Sequence, residues 1–398
     1  MNRLDELIKK FCPDGVDFEK IKDVYKRLKG TPITAGKMKE IEKPNGEIRI
    51  FAGGKTVINS IESDIPKANI TRVPSVLIQS RGVIDVIYYD NPFTFKNEMW
   101  AYTHKDRIAV KYLYYVLKSK LQYLREAASG MGALPQISLA VTETLEIPFP
   151  PLPVQREIVR ILDNFTELTA ELTAELTARK KQYEYYRDLL LLLNNDTNLG
   201  ERKNSEIEWV KLNVIAKYSD SKIEAINVDK KSYVGVDNLL PNRAGKTISS
   251  YVPVEGRLSY FKSGDILIGN IRPYLKKIWF ATHQGGTNGD VLVIQVRDSE
   301  KVLPKYLFHI LSTDNFFLYN VQNSRGAKMP RGNKSAIMDY SIPVPKTTEV
   351  QQQIVNILDR FDALCNDITI GLPAEIEARQ KQYEYYRDKL LTFKEKQV

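Results

Sequence analysis

The side chains of this 398-residue chain best equipped for chemistry are cations and amides on short segments rich in Gly and Pro. In the first half they are Lys37, Arg49, Lys55, Gln79, Ser80 and Arg81; in the second, Asn270, Arg272, Lys276, Lys277, Asn288, Arg325, Lys328, Arg331, Asn333 and Lys334. Arg presents a planar fork that fits guanine or a phosphate, Asn and Gln match the edge of adenine, and Lys is a point charge for phosphates. The chemistry on offer is hydrogen bonding to a polyanion. For any one of these residues a solvated surface charge is the commoner role, but "NSRGAKMPRGNK" (Asn323 to Lys334) sets four cations among Gly and Pro and reads as a mobile cationic loop. The candidate nucleic-acid contacts are therefore Arg49, Lys55, Gln79, Arg81, Asn270, Arg272, Lys276, Lys277, Arg325, Lys328, Arg331 and Lys334.

The overall charge points the same way. Lys and Arg number 58 against 49 Asp and Glu, a net charge of +9, and the pI is near 9.1, a balance that favours an anionic partner. Catalytic patterns fail one by one. "FAGGKT" and "RAGKT" resemble the end of a phosphate loop, yet the earlier glycine that such a loop needs falls on Arg49 and Leu240. "NPFTF" (Asn91 to Phe95) lacks the second proline of an amino-methyltransferase tetrapeptide, and "PDGVDFEK" packs its acids too closely to wrap a metal. His104, His283 and His309 have no partner at ligand spacing. Cys12 and Cys365 lack CxxC spacing, which speaks against zinc or a disulfide framework and for two buried thiols in a reducing cytoplasm. The longest aliphatic run, Leu189 to Leu193, is too short to span a bilayer, so no membrane partner is expected.

The elements that must position these residues come from a duplication. Ala178 to Leu190 matches Ala378 to Leu390 at 11 of 13 positions, including "KQYEYYRD" in both. Upstream, "IPFPPLPVQREIVRILDNF" (Ile147 to Phe165) answers "IPVPKTTEVQQQIVNILDRF" (Ile342 to Phe361). Three weaker matches complete the unit: "GALPQIS" (Gly132 to Ser138) with "AKMPRGN" (Ala327 to Asn333), "VLIQSRGVI" (Val76 to Ile84) with "ILIGNIRPY" (Ile266 to Tyr274), and "VDFEKI" with "IEWVKL". Each unit is a variable α+β body of about 130 residues, built of short alternating strands and one or two helices, followed by a long helical tail.

Ile158, Leu162, Phe165, Leu172 and Leu176 in the first tail, and Ile354, Leu358, Phe361 and Ile368 in the second, form apolar stripes at helical spacing. Two such stripes in one chain can cover each other, which predicts an antiparallel, coiled-coil-like pair with pseudo-two-fold symmetry. Tyr183, Tyr186, Tyr383 and Tyr386 belong either to that seam or to a surface on which a partner docks. The first tail carries "ELTAELTAELTA" (Glu167 to Ala178), a four-residue repeat adding roughly 6 Å and about 40° beyond a full turn per copy, which makes it a ruler. The second has "GLPA" (Gly371 to Ala374) instead, where Pro373 kinks or restarts the helix. The residues alone leave open an enzyme with an unrecognised site and a stand-alone, pseudo-dimeric DNA-binding regulator.

At "PLPVQREIVRILD", "TAELTAEL" and the doubled "KQYEYYRD" the sequence closely resembles the specificity subunit of type I restriction-modification enzymes, over essentially its whole length. The resemblance implies a first target recognition domain at 1–150, a central helix at 151–195, a second recognition domain at 196–345 and a carboxy-terminal helix at 346–398. It implies that each body binds one half of a split double-stranded DNA target while the helices set the spacing and dock two modification subunits. A restriction subunit can then join. Catalysis, with S-adenosylmethionine, ATP and magnesium, would belong to those partners, leaving no cofactor here.

Overall fold

The computed structural model describes residues 2–54, 56–128, 134–192, 207–366 and 371–396. The chain packs as two units: Met1–Glu171 with Ile376–Val398, and Leu172–Glu375. Each unit therefore takes one body, the near half of one long helix and the far half of the other.

The bodies share a framework. In unit 1, β1 (Lys26–Leu28), β2 (Ser75–Gln79), β3 (Asp85–Tyr89) and β4 (Trp100–Thr103) form an antiparallel sheet in the order β1-β4-β2-β3. In unit 2, β5 (Ala216–Tyr218), β6 (Ile266–Gly269), β7 (Ile278–Phe280) and β8 (Val291–Val296) repeat that order as β5-β8-β6-β7. The central strands read as unbroken apolar runs because both of their faces are covered. Val76 and Ile78 of β2 pack into the main core and Leu77 into the cluster around Phe93 and Phe95. Ile266 and Ile268 of β6 divide from Leu267 in the same way. Even the weakest sequence match holds in register. Phe18 pairs with Pro148 and Glu19 with Ile147, while Trp209 pairs with Pro343 and Val210 with Ile342. The bodies differ in a second, smaller sheet, three-stranded in unit 1 and four-stranded in unit 2.

The first tail is one helix, α1 (Leu152–Leu192). The second is two, α2 (Thr348–Asn366) and α3 (Leu372–Leu390). Of the kink or restart expected at Pro373, the structure shows the restart: Pro373 sits at the second position of α3, where its missing N–H costs nothing. In unit 1, Phe165 of α1 stacks on Tyr386 of α3 at 5.5 Å, and Gln155 lies at the same small cavity as Lys396, so the two segments run in opposite directions. In unit 2, Phe361 of α2 stacks on Tyr186 of α1 at 5.8 Å and meets Tyr183 at 6.3 Å, with Cys365 beside Arg179 and Lys180. That pair is also antiparallel.

The stripe residues do more than face a second helix. Ile158 and Leu162 are fully buried in the core of unit 1 together with Leu390 and Leu391, and Ile354 and Leu358 in that of unit 2 with Leu191. Each tail is thereby anchored to its own body. Leu172 and Leu176 are half-buried, and Ile368 lies outside the described residues. Tyr183, Tyr383 and Tyr386 are half-buried, Tyr186 is 37% exposed, and Tyr185 and Tyr385 are exposed at 64% and 62%. The junction of tail and body is itself duplicated. Asp163 accepts a hydrogen bond from the Tyr115 hydroxyl at 2.5 Å and pairs with Lys111 at 2.9 Å; Asp359 pairs with Lys305 at 3.5 Å and bonds His309 Nε2 at 2.8 Å.

Candidate nucleic-acid interface

The cationic segments gather where the central strand of each body ends. In unit 2, β6 runs out into Asn270–Arg272, and the segment 325–332 lies down on it. The Arg272 N–H donates to Pro330 O at 2.8 Å and the Gly332 N–H to Asn270 O at 3.0 Å. Arg325 and Arg331 exchange both of their backbone bonds, at 2.9 and 2.8 Å. The mobile loop expected from composition is instead a pinned hairpin. A Cβ on Gly332 would stand 2.5 Å from Asn320 Oδ1 and 2.8 Å from Asn270 Oδ1, so any larger residue would have to displace these buried amides.

Unit 1 repeats both bonds between the strand end and the covering segment. The Gly82 N–H donates to Pro135 O at 2.8 Å, the Ile137 N–H to Ser80 O at 2.9 Å, and Arg81 bridges Gln136 as Ile271 bridges Arg331. Gln136 thus holds the position of Arg331. It is exposed and is the residue that reading single segments for charge missed; the match of "GALPQIS" with "AKMPRGN" was the signal that contained it.

The structure sorts the twelve candidates. Arg81, Arg272, Arg325, Lys328 and Lys334 are exposed with no side-chain hydrogen bond or ion pair among the described residues, and Arg331 is exposed while pairing with Asp290 at 3.2 Å. Arg49 lies on the strand Ile48–Phe51 rather than on a loop, its guanidinium 5.8 Å from the rings of Phe51 and Tyr89. Four candidates are corrected, because their polar groups are used inside the fold. Gln79 is buried and donates to Gly54 O at 2.6 Å, and Asn270 is buried beneath Gly332. Lys277 Nζ donates to Val236 O at 2.6 Å and Lys276 Nζ to Asp314 at 2.6 Å. Lys55 lies outside the described residues. Of the further polar residues, Ser80 is buried and bonds Glu98 O, Lys37 pairs with Glu40 on a short helix, Asn288 accepts from the Asp290 N–H, and Asn333 caps the helix Lys334–Asp339.

Asp314 holds the back of this surface together by binding both Lys276 and Arg243. Burial by itself would raise its pKa, but the hydrogen bonds from Lys276 and Arg243 and their charges outweigh that and bring it down to about 2. A carboxylate with a depressed folded pKa contributes stability in full above its unfolded value near 3.8 and loses it as the pH falls through about 2. Since the side chain is half exposed, the contribution is only about 1 kcal/mol after screening. Asp314→Asn should therefore lower the urea midpoint of unit 2 at pH 7 and flatten its dependence between pH 4 and 2.

Elsewhere the residues are structural. Cys12 and Cys365 are buried free thiols whose pKa values burial raises, which leaves them poor nucleophiles. His309 is buried against Asp359. Among the described residues no cluster of three His, Cys, Asp or Glu could hold a metal ion, and no helix is long and apolar enough to cross a membrane.

Comparison with known proteins agrees with the duplication. The family model for the type I restriction modification DNA specificity domain matches twice, at residues 13–179 and 204–378. The Escherichia coli type I restriction enzyme EcoR124I/EcoR124II specificity subunit is 35% identical over 310 residues, covering 72% of each chain. The crystal structure of a type I restriction-modification S subunit from M. genitalium matches 95% of this chain and 96% of its own at a TM-score of 0.61 and 17% identity. A chain from a type I R-M system, solved to explain complex assembly and conformational transition, matches over 95% and 98% at a TM-score of 0.54 and 13% identity. With two specificity domains, each a body carrying the same loop framework, this chain belongs to the type I restriction-modification specificity subunits, the non-catalytic members of their systems.

Proposed function

We propose that each unit reads one half of a bipartite double-stranded DNA target, and that the helical tails set the spacer between the halves and dock two modification subunits. The observation that carries this is the repeated backbone ladder at the end of β2 and β6. Two bodies with different small sheets and different loop side chains keep the same hydrogen bonds where free cations and amides are presented. Conserving a scaffold while varying what it displays suits one task performed on two sequences. Restriction subunits joining the complex would translocate and cut the DNA. S-adenosylmethionine for methylation, and ATP with magnesium, would be held by those partners in the cytoplasm.

Co-expression of the chain with the modification subunit encoded beside it, followed by mapping of methylated adenines in the host DNA, tests this. The expected result is a single bipartite motif that disappears when the chain is omitted. A chain that bound one site tightly by itself and formed no complex would instead be a stand-alone regulator.

A further inference from the structure

Among the described residues, five that are not glycine have positive φ, and four of them lie together in unit 2: Asn242, Arg243, Arg272 and Lys276. They form two tight segments bonded to each other, with the Asn242 N–H donating to Leu275 O at 2.9 Å and the Arg243 N–H to Lys276 O at 3.0 Å. Left-handed backbone is unfavourable for side chains with a Cβ, and it persists where the surroundings impose it, often at functional sites. Three of the four have a structural reason to tolerate it. Asn adopts this region readily, while Arg243 and Lys276 both bind Asp314. Arg272 has none. Its guanidinium is exposed and makes no hydrogen bond or ion pair among the described residues.

Its backbone is also doubly disfavoured. Arg272 has φ 53° and ψ 63°, and it precedes Pro273, which pushes the residue before it toward extended conformations. Unit 1 shows what the turn needs by itself. The same position, fixed by the same hydrogen bond to a proline carbonyl, is Gly82 at φ 78°. Crowding does not require glycine there, since a Cβ on Gly82 would meet nothing closer than 3.6 Å. One copy of the repeat obeys the backbone rule where there is room for a side chain; the other breaks it with a side chain the fold does not use.

We infer that Arg272 is a specificity-determining residue of the second half-site, held in an unfavourable conformation so that its guanidinium reads a base edge, guanine O6 and N7 being the acceptors its fork fits. This rests on the proposed reading of unit 2 as a DNA reader.

The test uses the complex with modification subunits, challenged with a pool of duplexes randomised at both half-sites, alongside thermal unfolding of the isolated chain. For Arg272→Gly the expected results are an unchanged or raised Tm, an unchanged first half-site, and a roughly tenfold to hundredfold loss of discrimination at one base pair of the second. Arg272→Lys should retain part of the affinity but lose the same discrimination, because an ammonium lacks the fork. Equal weakening on all duplexes with the motif intact would reduce Arg272 to a phosphate contact and overturn the inference, as would a clear fall in Tm for Arg272→Gly. A wild-type complex that selects no bipartite motif would instead defeat the reading of unit 2 itself, and the inference with it.

Discussion

Removal of Thr173–Leu176, one copy of the four-residue repeat, is expected to shorten the nonspecific spacer of the DNA target by one base pair while both half-sites stay as they were. The repeat lies within an unbroken helix, so its deletion removes about 6 Å of rise and about 40° of rotation beyond a whole turn. The rise corresponds to nearly two base pairs and the rotation to one, taking duplex DNA at about 34 Å and 10 to 10.5 base pairs per turn. Rotation should decide, because a body on the wrong side of the duplex loses all its base contacts, whereas a few ångströms of offset can be absorbed by small adjustments. The fold should tolerate the change. From Thr166 to Ala178 no side chain is buried, and the boundary between the two units, at Glu171 and Leu172, falls inside the tract. Methylation mapping of the variant decides the matter; an unchanged spacer or an altered half-site would contradict it.

Leu358→Ala should produce the largest loss of stability. Leu358 is fully buried in the core of unit 2, among Ile310, Leu311 and Ile354, where α2 meets the body. Truncation of such a leucine costs about 2–5 kcal/mol, because the cavity adds to the lost transfer free energy. At about 3 kcal/mol, the melting transition of unit 2 should fall by roughly 6–12 °C. Leu162→Ala, at the matching position of unit 1, should act alike on the other transition. Ile357, the neighbouring residue, is 42% exposed, and Ile357→Ala should change stability by less than about 0.5 kcal/mol. Differential scanning calorimetry of the three variants checks the pattern. If Ile357→Ala cost as much as Leu358→Ala, the helix face assigned to the core would be wrong.

Much of this was legible in the chain because repetition is a strong signal. The matched tails and the likeness of "VDFEKI" to "IEWVKL" follow from letters that recur in order, and the restart at Pro373 from the one place where they do not. What misled was the assumption that a polar side chain near Gly and Pro is free. Gln79 and Asn270 look like amides on loops, yet each sits where the central strand ends and a second segment covers it. Lys276 and Lys277 look like a cationic pair, and the turn directs one to Asp314 and the other to a carbonyl. Gln136 carried no charge to draw attention, although it holds the place of Arg331.

By itself, then, the sequence determined the duplication, the helical tails, the four-residue repeat and the family, since all of these depend on patterns local in the chain or repeated along it. Tertiary structure decided which body shares a core with which half of each helix, and which cations remain free. Those outcomes depend on contacts between residues far apart in sequence. Asp314 neutralises Lys276 across 38 positions, and the strain at Arg272 is visible only beside Gly82, its counterpart in the other unit.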